Sequence, residues 1–179
     1  KRLPKNLMMA IMAAHNSNIK VVMDNTWGAG YFFQPFEHGV DISIQAATKY
    51  YVGHSDAMIG TVSMSGENIQ PILDSAQILG QHISPDDAYI ALRGLRTLHV
   101  RLKRHETSAL KVAKWLSTKP EIEQVLHPAL PSSPGHDLWQ RDFNGSNGLF
   151  SVIFKTKKEK AIHAFIDQLK LFSLGGSWG

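Results

Sequence analysis

Hydrophobic positions along this chain follow two periods. Runs of strand length fall at 20–23, 42–45, 58–62, 125–127 and 150–154, each bounded by polar or turn-forming residues. Between them apolar residues recur at threes and fours, which predicts helices over 7–15, 67–79, 85–93, 95–116, 136–141 and 159–169. In the longest of these, Leu95, Leu98, Leu102, Ala109, Val112, Ala113 and Leu116 form one stripe. Arg101, Lys103, Arg104, Lys111 and Lys114 are then assigned to the opposite, wet side. Alternating strands and helices predict an α/β fold. Arg93-Gly94 interrupts the helical pattern, and glycine is favoured just past a helix end, so the sequence places a domain boundary there, giving units 1–94 and 95–179.

Composition removes several classes of function. The formal net charge of +4 raises the question of nucleic acid. No aromatic residues interleave with the basic ones into a binding platform, so no nucleic-acid partner is expected. With no cysteine, disulfides and zinc-thiolate sites are excluded, and the composition fits a reducing cytoplasm. The nine histidines, at 15, 38, 54, 82, 99, 105, 127, 136 and 163, show no ligand spacing, so no metal is expected. The apolar run 7–14 is too short to span a bilayer and reads as a helix packed on a sheet, with no membrane role.

Chemistry concentrates in the stretch Ser43-Ile44-Gln45-Ala46-Ala47-Thr48-Lys49-Tyr50-Tyr51-Val52-Gly53-His54-Ser55-Asp56. Most lysines are solvated surface groups, but a lysine held in a pocket can act as an amine nucleophile toward an aldehyde. Upstream, Ile19-Lys20-Val21-Val22-Met23 runs as a short strand into Asp24, Asn25, Thr26 and Trp27. Ligands of open α/β sheets bind at the carboxyl ends of strands, which is where Asp24 falls. Read alone, Asp24 is equally an ordinary turn opener.

Taken in order, Val-Met-Asp-Asn-Thr-Trp at 22–27, Ala-Ala-Thr-Lys-Tyr at 46–50, Gly-His-Ser-Asp-Ala-Met-Ile-Gly at 53–60 and Leu-Arg-Gly-Leu-Arg-Thr-Leu at 92–98 resemble the Cys/Met-metabolism family of transsulfuration enzymes. The resemblance runs from about Ile19 to Gly179 and rests on long, ordered motifs. It implies the type I pyridoxal-phosphate-dependent transferase fold, aspartate aminotransferase-like. The chain would then hold part of the large cofactor domain and an incomplete small C-terminal domain. It also implies pyridoxal 5'-phosphate as cofactor, with Lys49 as its Schiff-base lysine and mover of the Cα proton. Asp24 would pair with the pyridinium nitrogen and Thr48 would offer a hydroxyl to the phosphate. Ser177 and Trp178 would line the substrate pocket; without the resemblance, core packing explains Trp178 as well.

One departure stands in the lysine motif. Many family members carry serine three places before the lysine, where this chain has Ala46, so the phosphate would lean more on Thr48. Members are about twice as long as these 179 residues, which begin on Lys1 and stop inside a family motif, so a partial chain is expected. A ring-stacking tyrosine and a phosphate loop would precede Lys1, and a carboxylate-binding arginine would follow Gly179. Tyr50 and Tyr51 are expected to pack beside the lysine rather than to stack on the ring.

Trp27-Gly28-Ala29-Gly30, Ala57-Met58-Ile59-Gly60 and Ser177-Trp178-Gly179 lean toward the β-eliminating branch of the family. The implied reaction is α,β-elimination of L-cystathionine to homocysteine, pyruvate and ammonia by a cytoplasmic homotetramer built from dimers. The partner is then a small sulfur amino acid. The alternatives are a γ-acting relative, meaning cystathionine γ-lyase, cystathionine γ-synthase or methionine γ-lyase, and a non-catalytic binding module of the same fold.

Overall fold

A computed structural model of the chain describes residues 7–64, 66 and 69–178. Among these, α1 (Leu7–Asn16) precedes β1 (Val22–Asp24), and a single 3-10 turn (Pro35–His38) leads into β2 (Ile42–Ala46) and β3 (Gly60–Met64). Three helices follow, α2 (Ile69–Ile78), α3 (Pro85–Leu95) and α4 (Leu98–Leu116), and then β4 (Ile122–Leu126), α5 (His136–Asp142), β5 (Ser151–Phe154) and α6 (Glu159–Asp167). The strands form two sheets. In the first, β1 lies parallel to β2, with Asp24 opposite Ile44, and β3 runs antiparallel to β2. In the second, β4 and β5 are antiparallel with an irregularity between Ile122 and Gln124.

Where the elements differ from the sequence pattern, the backbone bonding gives the reason. The third strand begins at Gly60, not Met58, because Ile59 is taken by Thr48: its N–H donates to Thr48 Oγ1 and its carbonyl accepts from Thr48 N–H. The fourth strand ends at Leu126 because the His127 carbonyl turns aside to accept from Leu130 N–H. Expected helix residue Glu67 lies outside the described residues.

Helix α3 corrects the reading of Gly94. Ser84 Oγ caps the helix by accepting from Asp87 N–H at 3.0 Å, Pro85 opens it, and Asp86 and Asp87 sit where the helix dipole favours acid. The helix then runs through Gly94 to Leu95. Gly94 is buried, and a Cβ there would lie 2.6 Å from the Val52 carbonyl oxygen and closer still to that of Tyr51. Glycine stands there for close approach of α3 to the 51–52 turn, not because the helix ends.

Among the described residues, three apolar clusters hold the structure together. Ala29, Phe32, Tyr50 and Leu102 form one, with Trp178 packed against it. Ala47, Val52 and Ile59 form a second with Ile90 and Ala91 of α3. Ala113, Val125 and Leu130 form a third. The first sheet has an inverted middle strand: Ser43 and Gln45 are buried while Ile44 is exposed. Gln45 is satisfied by donating to the Tyr51 hydroxyl. Among the described residues no helix is long and apolar enough to cross a membrane.

Candidate active site

Two adjacent parallel strands deliver Asp24 and Lys49 to the same end of the first sheet. Asp24 is the last residue of β1 and pairs in register with Ile44. Its Oδ1 accepts from Thr26 N–H at 2.9 Å, a local turn that aims the carboxylate out beyond the strand while leaving it exposed. Thr26 Oγ1 in turn accepts from Ala46 N–H at 2.8 Å, tying this turn to the last residue of β2. Lys49 follows three residues later. Both functional groups thus stand at carboxyl ends of parallel strands, the ligand-binding edge of such sheets.

The backbone around Lys49 is wound into a tight turn. Lys49 N–H donates to the Ala46 carbonyl at 3.0 Å, Val52 N–H to Ala47 at 2.9 Å, and Gly53 N–H to the Lys49 carbonyl at 2.8 Å. Gly53 sits at φ +75, a left-handed conformation that favours glycine. Thr48 points its hydroxyl at Ile59: Oγ1 accepts from Ile59 N–H at 2.7 Å and donates to the Ile59 carbonyl at 3.3 Å. The structure therefore places Thr48 beside the lysine with its hydroxyl bonded to backbone.

The Lys49 side chain reaches across the molecule. Its Nζ donates to Ser177 Oγ at 2.7 Å and lies 4.7 Å from the centre of the Trp178 ring, so residues 128 positions apart meet. Trp178 also packs on Tyr50, with ring centres 5.4 Å apart. Behind them lies a cavity of about 160 Å³ lined by Tyr50, His105, Gly148, Leu149 and Trp178. Burial pushes the Tyr50 hydroxyl up to about 12 even though the Gly148 N–H donates to it. It stays protonated at neutral pH. His105 is held below the ordinary histidine value by burial and, secondarily, by the Arg101 charge, so its neutral form is favoured.

Of the five residues expected at the site, Lys49, Ser177 and Trp178 converge directly, Asp24 shares the strand edge, and Thr48 is turned toward Ile59. Tyr50 and Tyr51 both pack beside the lysine turn. Two participants escaped the sequence reading. Arg101 belongs not to the wet side of α4 but to its inner edge, where Nη2 donates to the carbonyls of Tyr50 and Gly94, both at 2.8 Å. His105 lines the cavity. The signal was available, since Arg101 and His105 follow Leu98 and Leu102 by three residues and so flank the apolar stripe. Charge alone sorts Arg101 outward.

The comparisons with known proteins bear on this arrangement. A model of the Cys/Met metabolism PLP-dependent enzyme family matches residues 6–179. The chain belongs to this family. A cystathionine β-lyase of Escherichia coli is 49% identical over 174 residues, covering 95% of this chain and 44% of the relative. A putative cystathionine β-lyase of Rhizobium johnstonii is 50% identical over 170 residues, covering 93% and 43%. The chain thus spans less than half the length of these two relatives. Among solved structures, a cystathionine γ-synthase of Xanthomonas oryzae in complex with cystathionine superposes with a TM-score of 0.92 at 35% identity, covering 96% of this chain and 44% of that one. The fold is therefore that of the type I PLP-dependent enzymes, present in part.

The donor set fits the family's cofactor. Pyridoxal phosphate needs an amine for its aldehyde and a carboxylate for its ring nitrogen, and groups of both kinds, Lys49 and Asp24, stand at neighbouring strand ends. Among the described residues no group of three or more His, Asp or Glu side chains converges as a metal site would require.

Proposed function

We propose that this chain carries the lysine-bearing part of a pyridoxal-phosphate-dependent carbon–sulfur lyase that cleaves L-cystathionine by α,β-elimination to homocysteine, pyruvate and ammonia. The observation that carries the reading is the convergence of Lys49 Nζ, Ser177 Oγ and the Trp178 ring. Relatives named cystathionine β-lyase at 48–50% identity support the β-eliminating branch. Bound here, the cofactor supplies an electron sink for negative charge developing at the substrate's Cα. Lys49 and Asp24 would hold it, the first covalently through Nζ and the second by charge at the ring nitrogen. Thr48 would contribute at the phosphate side once its weak 3.3 Å donation to Ile59 is exchanged.

The chain's own residues then divide the work. Lys49 Nζ takes the proton from the substrate's Cα and hands it to the homocysteine sulfur as the Cβ–S bond breaks. Ser177 Oγ, which accepts from Nζ at 2.7 Å, orients that amine. The Trp178 face lies over the same nitrogen and excludes water from one side of it. The substrate expected is a small sulfur amino acid, the assembly a homotetramer built from dimers, and the compartment the cytoplasm.

Two measurements test the reading. Borohydride reduction of the cofactor-loaded protein should label Lys49, identified by peptide mass. Incubation with L-cystathionine should give pyruvate; 2-oxobutyrate would assign the protein to a γ-acting reaction. No label at Lys49 would favour a binding module without catalysis.

A further inference from the structure

We infer that Arg101 is a positioning residue for Lys49, locking the turn that carries the lysine against the corner between α3 and α4. The inference rests on the proposed role of Lys49 as the cofactor-holding amine. Three acceptors from three segments converge on one guanidinium. Nη2 donates to the carbonyl of Tyr50, the residue directly after Lys49, and to that of Gly94 near the end of α3. Nε donates to Thr97 Oγ1 at the start of α4, at 3.0 Å. Nη1 sits against Gly53, where any Cβ would collide with the guanidinium. The Lys49 peptide is thus fixed from both sides, by Ala46 and Gly53 through the turn and by Arg101 through the next carbonyl.

Geometry, not stability, accounts for a guanidinium in this place. Nη1 is buried and has no hydrogen-bond partner among the described residues. A partly buried charge with an unmade bond is a costly way to stabilise a fold, because its desolvation offsets much of what its bonds return. What an apolar side chain cannot do is span three acceptors in one plane. Lysine cannot either, since its ammonium is a single point on a flexible stem. A small rotation of the 46–53 turn would be carried along the four-carbon stem of Lys49 to Nζ, which is where proton transfer is most sensitive to placement.

The test uses the purified holoprotein with Arg101→Met, Arg101→Lys and, as a control on the exposed side of α4, Arg104→Met. Melting temperature, the visible circular dichroism of the bound cofactor, the pH at which its visible absorption band titrates, and kcat and KM are measured for each. Arg101→Met should lower the melting temperature by a few degrees, since the Tyr50 carbonyl loses its donor, weaken the visible dichroism, displace the titration midpoint, and lower kcat by about 10- to 100-fold with KM little changed. Arg101→Lys should fall between the two, and guanidinium ion, unlike urea or sodium chloride at equal concentration, should restore part of the dichroism to Arg101→Met. Arg104→Met should match the wild type throughout.

If Arg101→Met folds poorly, the Arg101→Lys dichroism and titration decide the matter at temperatures below its transition. Dichroism and titration midpoint equal to wild type in both Arg101 variants overturn the inference, whatever happens to melting. Failure of the wild-type protein to be labelled at Lys49 by borohydride would instead remove the underlying reading.

Discussion

Replacing Gly94 with alanine separates two accounts of the same glycine. Were it simply a weak residue in a helix, alanine would stabilise by about 1 kcal/mol through helix propensity. The structure gives the opposite sign. Gly94 lies inside α3, and a Cβ would sit 2.6 Å from the Val52 carbonyl oxygen, with the Tyr51 oxygen nearer. Carbon–oxygen contacts relax at about 3.3 Å or more, so α3 must withdraw by roughly 0.7 Å from the Val52 side alone.

That withdrawal opens the contact of Ile90 and Ala91 with the buried cluster of Ala47, Val52 and Ile59. Overpacking of this kind costs about 1–3 kcal/mol, and backbone oxygens cannot swing away as side chains do, so the upper part of the range applies. Subtracting the propensity gain leaves a net loss of about 2 kcal/mol. For a domain of this size that is a fall in Tm of about 4–8 °C. Scanning calorimetry of the holoprotein measures it, with Gly60→Ala as the control, since a Cβ at Gly60 meets nothing within 4 Å. A Gly94→Ala protein that melts at or above the wild type would refute the reasoning.

Three further outcomes follow from the same geometry. Asp41 is held down to about 2, first by Val21 N–H and then by its bonds to His15 and Lys20. Its stabilising contribution is present above the unfolded carboxylate value near 3.8 and is lost as pH falls toward about 2. Asp41→Asn should therefore flatten that acid limb in urea titrations. His127 is fully buried and kept below 6.5, chiefly by burial. Being neutral in the fold, it costs stability as pH drops beneath 6.5, where the unfolded chain binds the proton first, and His127→Asn should reduce that slope between neutral and mildly acid pH. Thr48→Val removes the acceptor for Ile59 N–H and should destabilise by about 1–3 kcal/mol, whereas Thr48→Ser keeps it and should lose less than half as much by chemical denaturation.

The order of helices and strands could be read from the sequence because apolar spacing reports which face of each element is covered. Strand ends could not, because they depend on partners distant in sequence: Ile59 leaves the ladder only because Thr48 takes both of its backbone groups. Lys49, Asp24 and the Ser177-Trp178 pair were legible as motif residues. The convergence of Lys49 with Ser177 was not, since no local pattern encodes a contact over 128 residues. Arg101 was misassigned for a related reason. Polarity predicts where a lone charge goes in water, and this one is drawn inward by three acceptors contributed by other segments.

The distance in sequence between Lys49 and Ser177 also sets when the site comes into being. Closing a loop of 128 residues costs roughly 4 kcal/mol of chain entropy, which must be met by contacts formed elsewhere first. The 46–53 turn, by contrast, closes over a few residues and can form as soon as β2 does. During synthesis the lysine is therefore displayed, wound and ready, well before the tryptophan that will lie over it has been made. Until then its amine is open to any aldehyde in the surroundings, and the arrival of Ser177 and Trp178 turns an accessible nucleophile into a selective one.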